Sequence, residues 1–288
     1  MRVSKFSAHH AKFIFTLAWA LMLSACASMP QGKPDQGTPV ASLQAQLDHA
    51  EAALAKTAGS ERTLVFVGAA LNSQSTAFQS DIVAVQKRLA GFTMPMQSLM
   101  VSNPPADLAT RFPLATQQNL SEVFSRLGAW SDKYPITVVV LISSHGNVDQ
   151  LAIEIAGQTY PPIRSGTLNA WLRRINPATP TVVLLSACYS GSFVPALADG
   201  YRVLLTASAA DRSSFGCSPK STNTWFIESL LEQGLKPELS WSESFMRTTR
   251  QVAAREHALK LVPSQPQASI PKAWVNAPLA DWLRGAQP

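Results

Sequence analysis

Thr137-Val-Val-Val-Leu-Ile-Ser-Ser-His145-Gly146 decides the fold, and Thr181-Val-Val-Leu-Leu-Ser-Ala-Cys188-Tyr-Ser-Gly191 is built on the same plan. Each is rich in β-branched residues and Leu and lacks apolar–polar alternation. That pattern belongs to a strand buried on both faces. Similar runs occur at Thr63–Gly68, Gln97–Ser102 and Arg202–Thr206. Helical periodicity fills the intervals at Ser80–Leu89, Asn119–Trp130, Ser165–Ile175 and Gly191–Asp199. Strand alternating with helix predicts an α/β fold, a mostly parallel central sheet with helices on both faces. Leu151–Tyr160 alternates and reads as a small hairpin beside that sheet. Further helices are expected at 41–57, 222–233, 241–259 and near Ala280–Arg284.

Composition bounds the answer. The chain has 288 residues, 46% hydrophobic and 15% charged, which suits one large core or two small domains and excludes a disordered chain. The formal net charge is +6. Removing Arg2, Lys5 and Lys12 from the 24 basic residues leaves 21 against 18 acidic ones. No basic run with interleaved aromatics remains, so no nucleic-acid partner is expected.

Residues 1–12 are basic, 13–23 form an apolar run, and Ser24-Ala25-Cys26 comes next. That order is the layout of a secretory signal, and the run is short for a membrane span. Leu23-Ser24-Ala25-Cys26 resembles the bacterial lipobox. The resemblance implies cleavage before Cys26, lipidation of Cys26 and a membrane anchor through that lipid. Ala27, rather than Asp, after it implies the outer membrane of a Gram-negative cell envelope. An ordinary cleaved signal is the competing reading. The expected organisation is a signal peptide at 1–25, a lipidated tether and amphipathic helix at 26–61, a main domain at 62–268, and a tail packed on it at 269–288. Two cysteines besides Cys26 make no disulfide scaffold.

Ligands of open α/β sheets sit at the carboxyl ends of the strands. His145 and Cys188 stand there, provided their strands are neighbours. An imidazole accepts the proton of a thiol, and the imidazolium then steadies the thiolate, the reactive nucleophile. A helix starting near Gly191 would turn its positive end toward the sulfur. The N–H groups of Gly146 and Cys188 are candidates for an oxyanion hole. The order His then Cys, ~50 residues apart, is that noted for caspases.

Ser143-Ser144-His145-Gly146 and Ser186-Ala187-Cys188-Tyr189-Ser190-Gly191-Ser192 closely resemble the bacterial branch of peptidase family C13, relatives of legumain and of the catalytic subunit of the GPI transamidase. Thr206–Cys217 and Val262–Gln267 resemble two further blocks of that family. The resemblance implies a caspase-like fold, a peptide or protein substrate, His145 as general base and Cys188 as nucleophile. It also implies that Ser213 and Ser214 lie near the primary specificity pocket. The chain departs from legumains in three places. Ser186 replaces an acid two positions before the Cys, Ser144 replaces the Asp before the His, and Asn223-Thr224 stands where another acid is expected. Asn72 is the only Asn between Gly68 and Asp81, and no Arg lies in that stretch. Cys217 is expected to pack rather than react. No His shows metal-ligand spacing, and no cofactor or metal is expected. Ser190 lies in no Gly-x-Ser-x-Gly elbow. Two readings compete with a cysteine endopeptidase or transpeptidase: an idle module that binds a partner, and a hydrolase of non-peptide esters.

Overall fold

The computed structural model describes residues 42–57, 61–105, 108 and 111–285; the signal segment, Cys26 and the tether to residue 40 lie outside the described residues. In chain order come α1 (Leu43–Thr57), β1 (Thr63–Ala70), α2 (Thr76–Ala90), β2 (Met96–Ser102), α3 (Gln117–Lys133) and β3 (Ile136–Ser143). Three short strands come next, β4 (Gly146–Asn147), β5 (Gln150–Ile155) and β6 (Gln158–Ile163), then α4 (Ser165–Leu172) and β7 (Thr181–Ser186). The rest is α5 (Val194–Leu197), β8 (Arg202–Thr206), α6 (Trp225–Ser229), α7 (Trp241–Ala258), β9 (Gln267–Ser269) and α8 (Leu279–Leu283).

The main sheet has the order β2-β1-β3-β7-β8-β9, parallel except for β9, and β4-β5-β6 form a separate antiparallel sheet. Every residue of β1, β3, β7 and β8 is buried. That explains the missing alternation, since both faces of these strands meet helices. On one face Val65, Val67, Val138, Val140, Ile142 and Val183 pack with Leu47 of α1, Phe124 of α3 and Trp171 of α4. On the other, Phe66, Val139, Leu141, Leu184 and Leu205 pack with Ile82 of α2, Ile227 of α6, Trp241 of α7 and Trp282 of α8. Each such side chain contributes about 1.5–3 kcal/mol on burial, against roughly 1–2 kcal/mol per residue of backbone ordering.

Helix starts are capped as the sequence allows. Ser75 accepts from Ala77 N–H, Thr116 from Asn119 N–H, and Ser240 forms a capping box with Glu243. The expected hairpin is β5–β6, turned by Ala156 (φ 50) and Gly157 (φ 84), the pair of left-handed residues a type I′ turn needs.

Two elements differ from expectation. The helix expected over Gly191–Asp199 is a 3₁₀ turn at Ser190–Phe193 followed by the four-residue α5. Pro195 lacks an N–H, and the chain leaves the helix at Ala198 toward Gly200 (φ 77). The short edge strand β9 has no signature in the sequence, because its three residues pair only through their backbone with β8.

Candidate active site

β3 and β7 are neighbours, paired from Val138↔Thr181 to Ser143↔Ser186. His145 and Cys188 therefore lie equally far beyond their last paired residue, at the same edge of the sheet. The backbone continues the match, as Ser144 N–H donates to the Ser186 carbonyl at 3.1 Å. Both side chains are half-buried.

Gly146 is held tightly here. A Cβ on it would sit 2.3 Å from the Cys188 carbonyl oxygen and 3.0 Å from the Ala187 Cβ. Only glycine lets the two backbones come this close. Ala152 N–H donates to the His145 carbonyl at 2.9 Å. Ladder bonds thus fall on His145, and the alternation of an antiparallel pair turns the Gly146 N–H away from β5.

The sulfur of Cys188 faces the loop after β8. Ser214 N–H donates to it at 3.3 Å and the Ser214 hydroxyl at 3.7 Å, while the protonated thiol would donate to the Ser214 carbonyl at 3.5 Å. The Cys217 thiol also acts on this sulfur and favours its anion. These contacts bring the Cys188 thiol down to about 5, the Cys217 thiol foremost; burial opposes them, and Ser214 and His145 assist. The same contact pushes the Cys217 thiol up. The proton stays on Cys217 because Ser214 and His145 stand on the side of Cys188. Cys217 packs against the core, as expected, and its raised pKa keeps the thiol protonated. Tyr189, the next residue, adopts the left-handed region (φ 57), held by its N–H on the Arg212 carbonyl at 2.8 Å. Such a conformation costs a non-glycine residue about 1–3 kcal/mol and persists only where surroundings impose it. It turns the chain sharply after the sulfur.

His145 sits against the Phe78 ring, edge to face at 5.0 Å. Burial pushes its imidazole below the usual histidine range, and the charges of Cys188 and Glu154 pull the other way. Glu154 is the group sequence reasoning missed. It is a buried carboxylate that accepts from the Ser73 hydroxyl at 2.9 Å and from the Gln74 amide, and its backbone bridges Asn72. Its signal was a lone acid between Ile153 and Ile155 in an alternating strand.

A second acid lies beneath the strand ends. Asp81 of α2 is fully buried and accepts from Ser143 Oγ (2.7 Å), Thr224 Oγ1 (2.8 Å), Thr224 N–H (3.0 Å) and Asn223 Nδ2 (2.9 Å). Ser186 Oγ joins through Thr224 Oγ1 at 2.7 Å. Burial pushes the Asp81 carboxyl up to about 7, against its four hydrogen bonds. One carboxylate from α2 thus lies between the two positions, Ser186 and Asn223-Thr224, where acids were expected.

Of the proposed pocket serines, Ser214 touches the Cys188 sulfur and Ser213 is exposed. Ser186 is buried in the Asp81 cluster, and Ser144 is buried with its hydroxyl on the Ala152 carbonyl at 2.6 Å. Asn72 is buried and its side chain accepts from Gln74 N–H in its own loop at 3.0 Å.

The Peptidase C13 family model matches residues 132–275, half of the chain, and so spans His145, Glu154, Cys188 and Cys217. The chain belongs to the peptidase C13 family. Membership brings a cysteine-peptidase type of function at the level of the family, with peptides or proteins as substrates. Among solved structures, caspase-1 from Spodoptera frugiperda aligns with a TM-score of 0.50 at 13% identity, covering 75% of this chain and 88% of its own. That likeness shows the caspase-like fold, which the sheet order and two helical layers display. No curated protein matches the chain. Asp81 and the loop at Asn72–Gln74 lie outside the C13 match.

Proposed function

We propose that this C13 member cleaves or transfers peptide bonds through a thioester on Cys188, with His145 as its acid–base partner. The observation that supports the reading is the common register of β3 and β7, which ends both strands at one sheet edge two residues before His145 and Cys188. The Cys188 thiolate attacks the peptide carbonyl carbon, and the carbonyl π electrons move onto oxygen. The N–H groups of Gly146 and Cys188 receive that oxyanion in this reading, a contribution of roughly 3–4 kcal/mol per donor. The His145 imidazolium then protonates the leaving amine as the C–N bond breaks, which leaves a thioester. Water or a second amine, deprotonated by neutral His145, displaces the sulfur and restores the thiolate. Lipidation at Cys26 would hold this chemistry at the outer membrane.

The test uses purified full-length protein and a library of acyloxymethylketone peptide probes, with Cys188→Ala and His145→Ala as controls. Labelling confined to Cys188, selective for one residue before the warhead, and slower by ~10²–10⁴ in His145→Ala, is expected. Equal labelling of Cys188 and Cys217 without probe preference would reject the peptidase in favour of the idle binding module.

A further inference from the structure

At the sheet edge opposite the dyad, a cavity of about 320 Å³ opens between the end of α4, α5 and the start of β8. Cys188 is seven residues beyond Thr181, the partner of Arg202 in the ladder. At about 3.3 Å per residue the two sites are roughly 20 Å apart. Polar groups dominate one side of this cavity: Arg173, Arg202, Asn169, Tyr201 and Asp199.

Their partnerships are uneven. Arg202 is 8% exposed. Its Nη2 pairs with Asp199 Oδ2 at 2.5 Å, while its Nη1 is buried with no hydrogen-bond partner. Asp199 is largely engaged, since its Oδ2 meets Arg202 Nη2 and its Oδ1 accepts from Tyr201 N–H (3.0 Å) and Arg202 N–H (3.3 Å). The side chains of Arg173, Asn169 and Tyr201 make no hydrogen bond or ion pair among the described residues. Two guanidiniums against one carboxylate leave a local charge of +1. A buried N–H without an acceptor costs about 1–3 kcal/mol, more on a charged group. Burial, together with Arg173 nearby, holds the Arg202 guanidinium below its ordinary range, so the charge there is under-compensated.

The geometry points to a phosphate-ester site in this cavity, with Arg173 and Arg202 as the charged ligands and Asn169 and Tyr201 as neutral donors. Two guanidiniums against one carboxylate suit a doubly charged phosphate better than a singly charged carboxylate, and the three terminal oxygens of a phosphate give guanidiniums and neutral donors room to bind together in charge-assisted bonds. The cavity is larger than one ion. Ile175, Pro177 and Ala196 supply an apolar side for the body that carries the phosphate. Its distance from Cys188 makes this a second ligand site, independent of the peptidase reading.

Calorimetric titration of full-length protein with phenyl phosphate, inorganic phosphate, benzoate and phenol tests it. Phenyl phosphate is expected to bind tightest, inorganic phosphate more weakly, and phenol not at all. Arg173→Ala and Tyr201→Phe alter exposed side chains, so their ligand-free melting temperatures should match wild type. Arg173→Ala should weaken phenyl phosphate on the order of tenfold or more, the loss of one charge-assisted contact. Benzoate binding as tightly as phenyl phosphate would overturn the phosphate assignment. Unchanged affinity in Arg173→Ala, or no binding to wild type, would overturn the site itself.

Discussion

A cysteine becomes a nucleophile at neutral pH only when its anion is stabilised, and Cys188 draws that stabilisation from three directions. Ser214 donates to the sulfur from the loop after β8, the Cys217 thiol favours its anion, and the charge of His145 adds to both. Glu154 stands behind His145 and favours the imidazolium. The rate of Cys188 alkylation by iodoacetamide against pH separates these parts. In wild type the acid limb should lie near 5, where the thiolate forms. Cys217→Ala removes the leading contribution and should move that limb upward by about one pH unit, or ~1.4 kcal/mol. Glu154→Gln withdraws a negative charge from the imidazolium, so His145 loses its proton at lower pH and the window in which thiolate and imidazolium coexist narrows. Glu154→Asp should restore it in part, which a merely structural role would not. An unmoved acid limb in Cys217→Ala would show that the second thiol only packs. That His145 and Cys188 follow neighbouring strand ends was legible in the sequence because each ends an apolar run with a glycine close behind it. The partnership of Cys217 was not, since it depends on a distant loop folding back over the sulfur.

Elements bring these residues together by register. Parallel strands buried on both faces have unmistakable sequences, so β1, β3, β7 and β8 were readable nearly to their ends. The segment after β7 was harder to read. The stretch from Ser190 to Leu197 has helical composition, yet Pro195 and the left-handed Tyr189 break it into a 3₁₀ turn and one turn of helix. A four-residue helix gives the sulfur little dipole, and donors from the Ser214 loop take that role instead. The same junction depends on Gly146. Gly146→Ala would drive a methyl into the Cys188 carbonyl, which lies 2.3 Å from the ideal Cβ position. The cost is expected to be about 1–3 kcal/mol, as for other overpacked sites, with Cys188 alkylation slowed as well. Gly166→Ala is the matched control: nothing lies within 4 Å of its Cβ, so the same methyl in α4 should be neutral or stabilise by up to ~1 kcal/mol. Equal melting temperatures for the two variants would mean that the β3 and β7 ends are not locked as described.

At the scale of the whole molecule, Asp81 links what the two cores separate. It reaches from α2 to β3 through Ser143, to β7 through Thr224 and Ser186, and to the approach of α6 through Asn223. Nothing in the sequence marks it: an acid in an amphipathic helix is read as solvated, and only the tertiary fold places it under the sheet. Its burial has a consequence for stability. The carboxyl titrates near 7 in the folded protein, and near 4 once unfolded. The folded state therefore binds the proton more tightly. The stability this confers is complete below pH 4 and is lost as pH rises through 7, by roughly 1.4 kcal/mol for each pH unit between. His145, whose imidazole is depressed by burial, acts oppositely, because its folded form resists the proton. Wild type alone would blur the two, so the difference between wild type and Asp81→Asn is the quantity to measure. Asn cannot ionise, and it cannot accept all four hydrogen bonds, so the variant should be less stable at pH 5. Its deficit should shrink from pH 5 to about 7 and level off beyond, as the wild-type carboxyl is forced to ionise without a cation beside it. A deficit that stays constant from pH 5 to 8 would mean that Asp81 is already charged in the fold, held by its four donors alone. In that case the cluster beneath the dyad would carry a permanent negative charge rather than a proton.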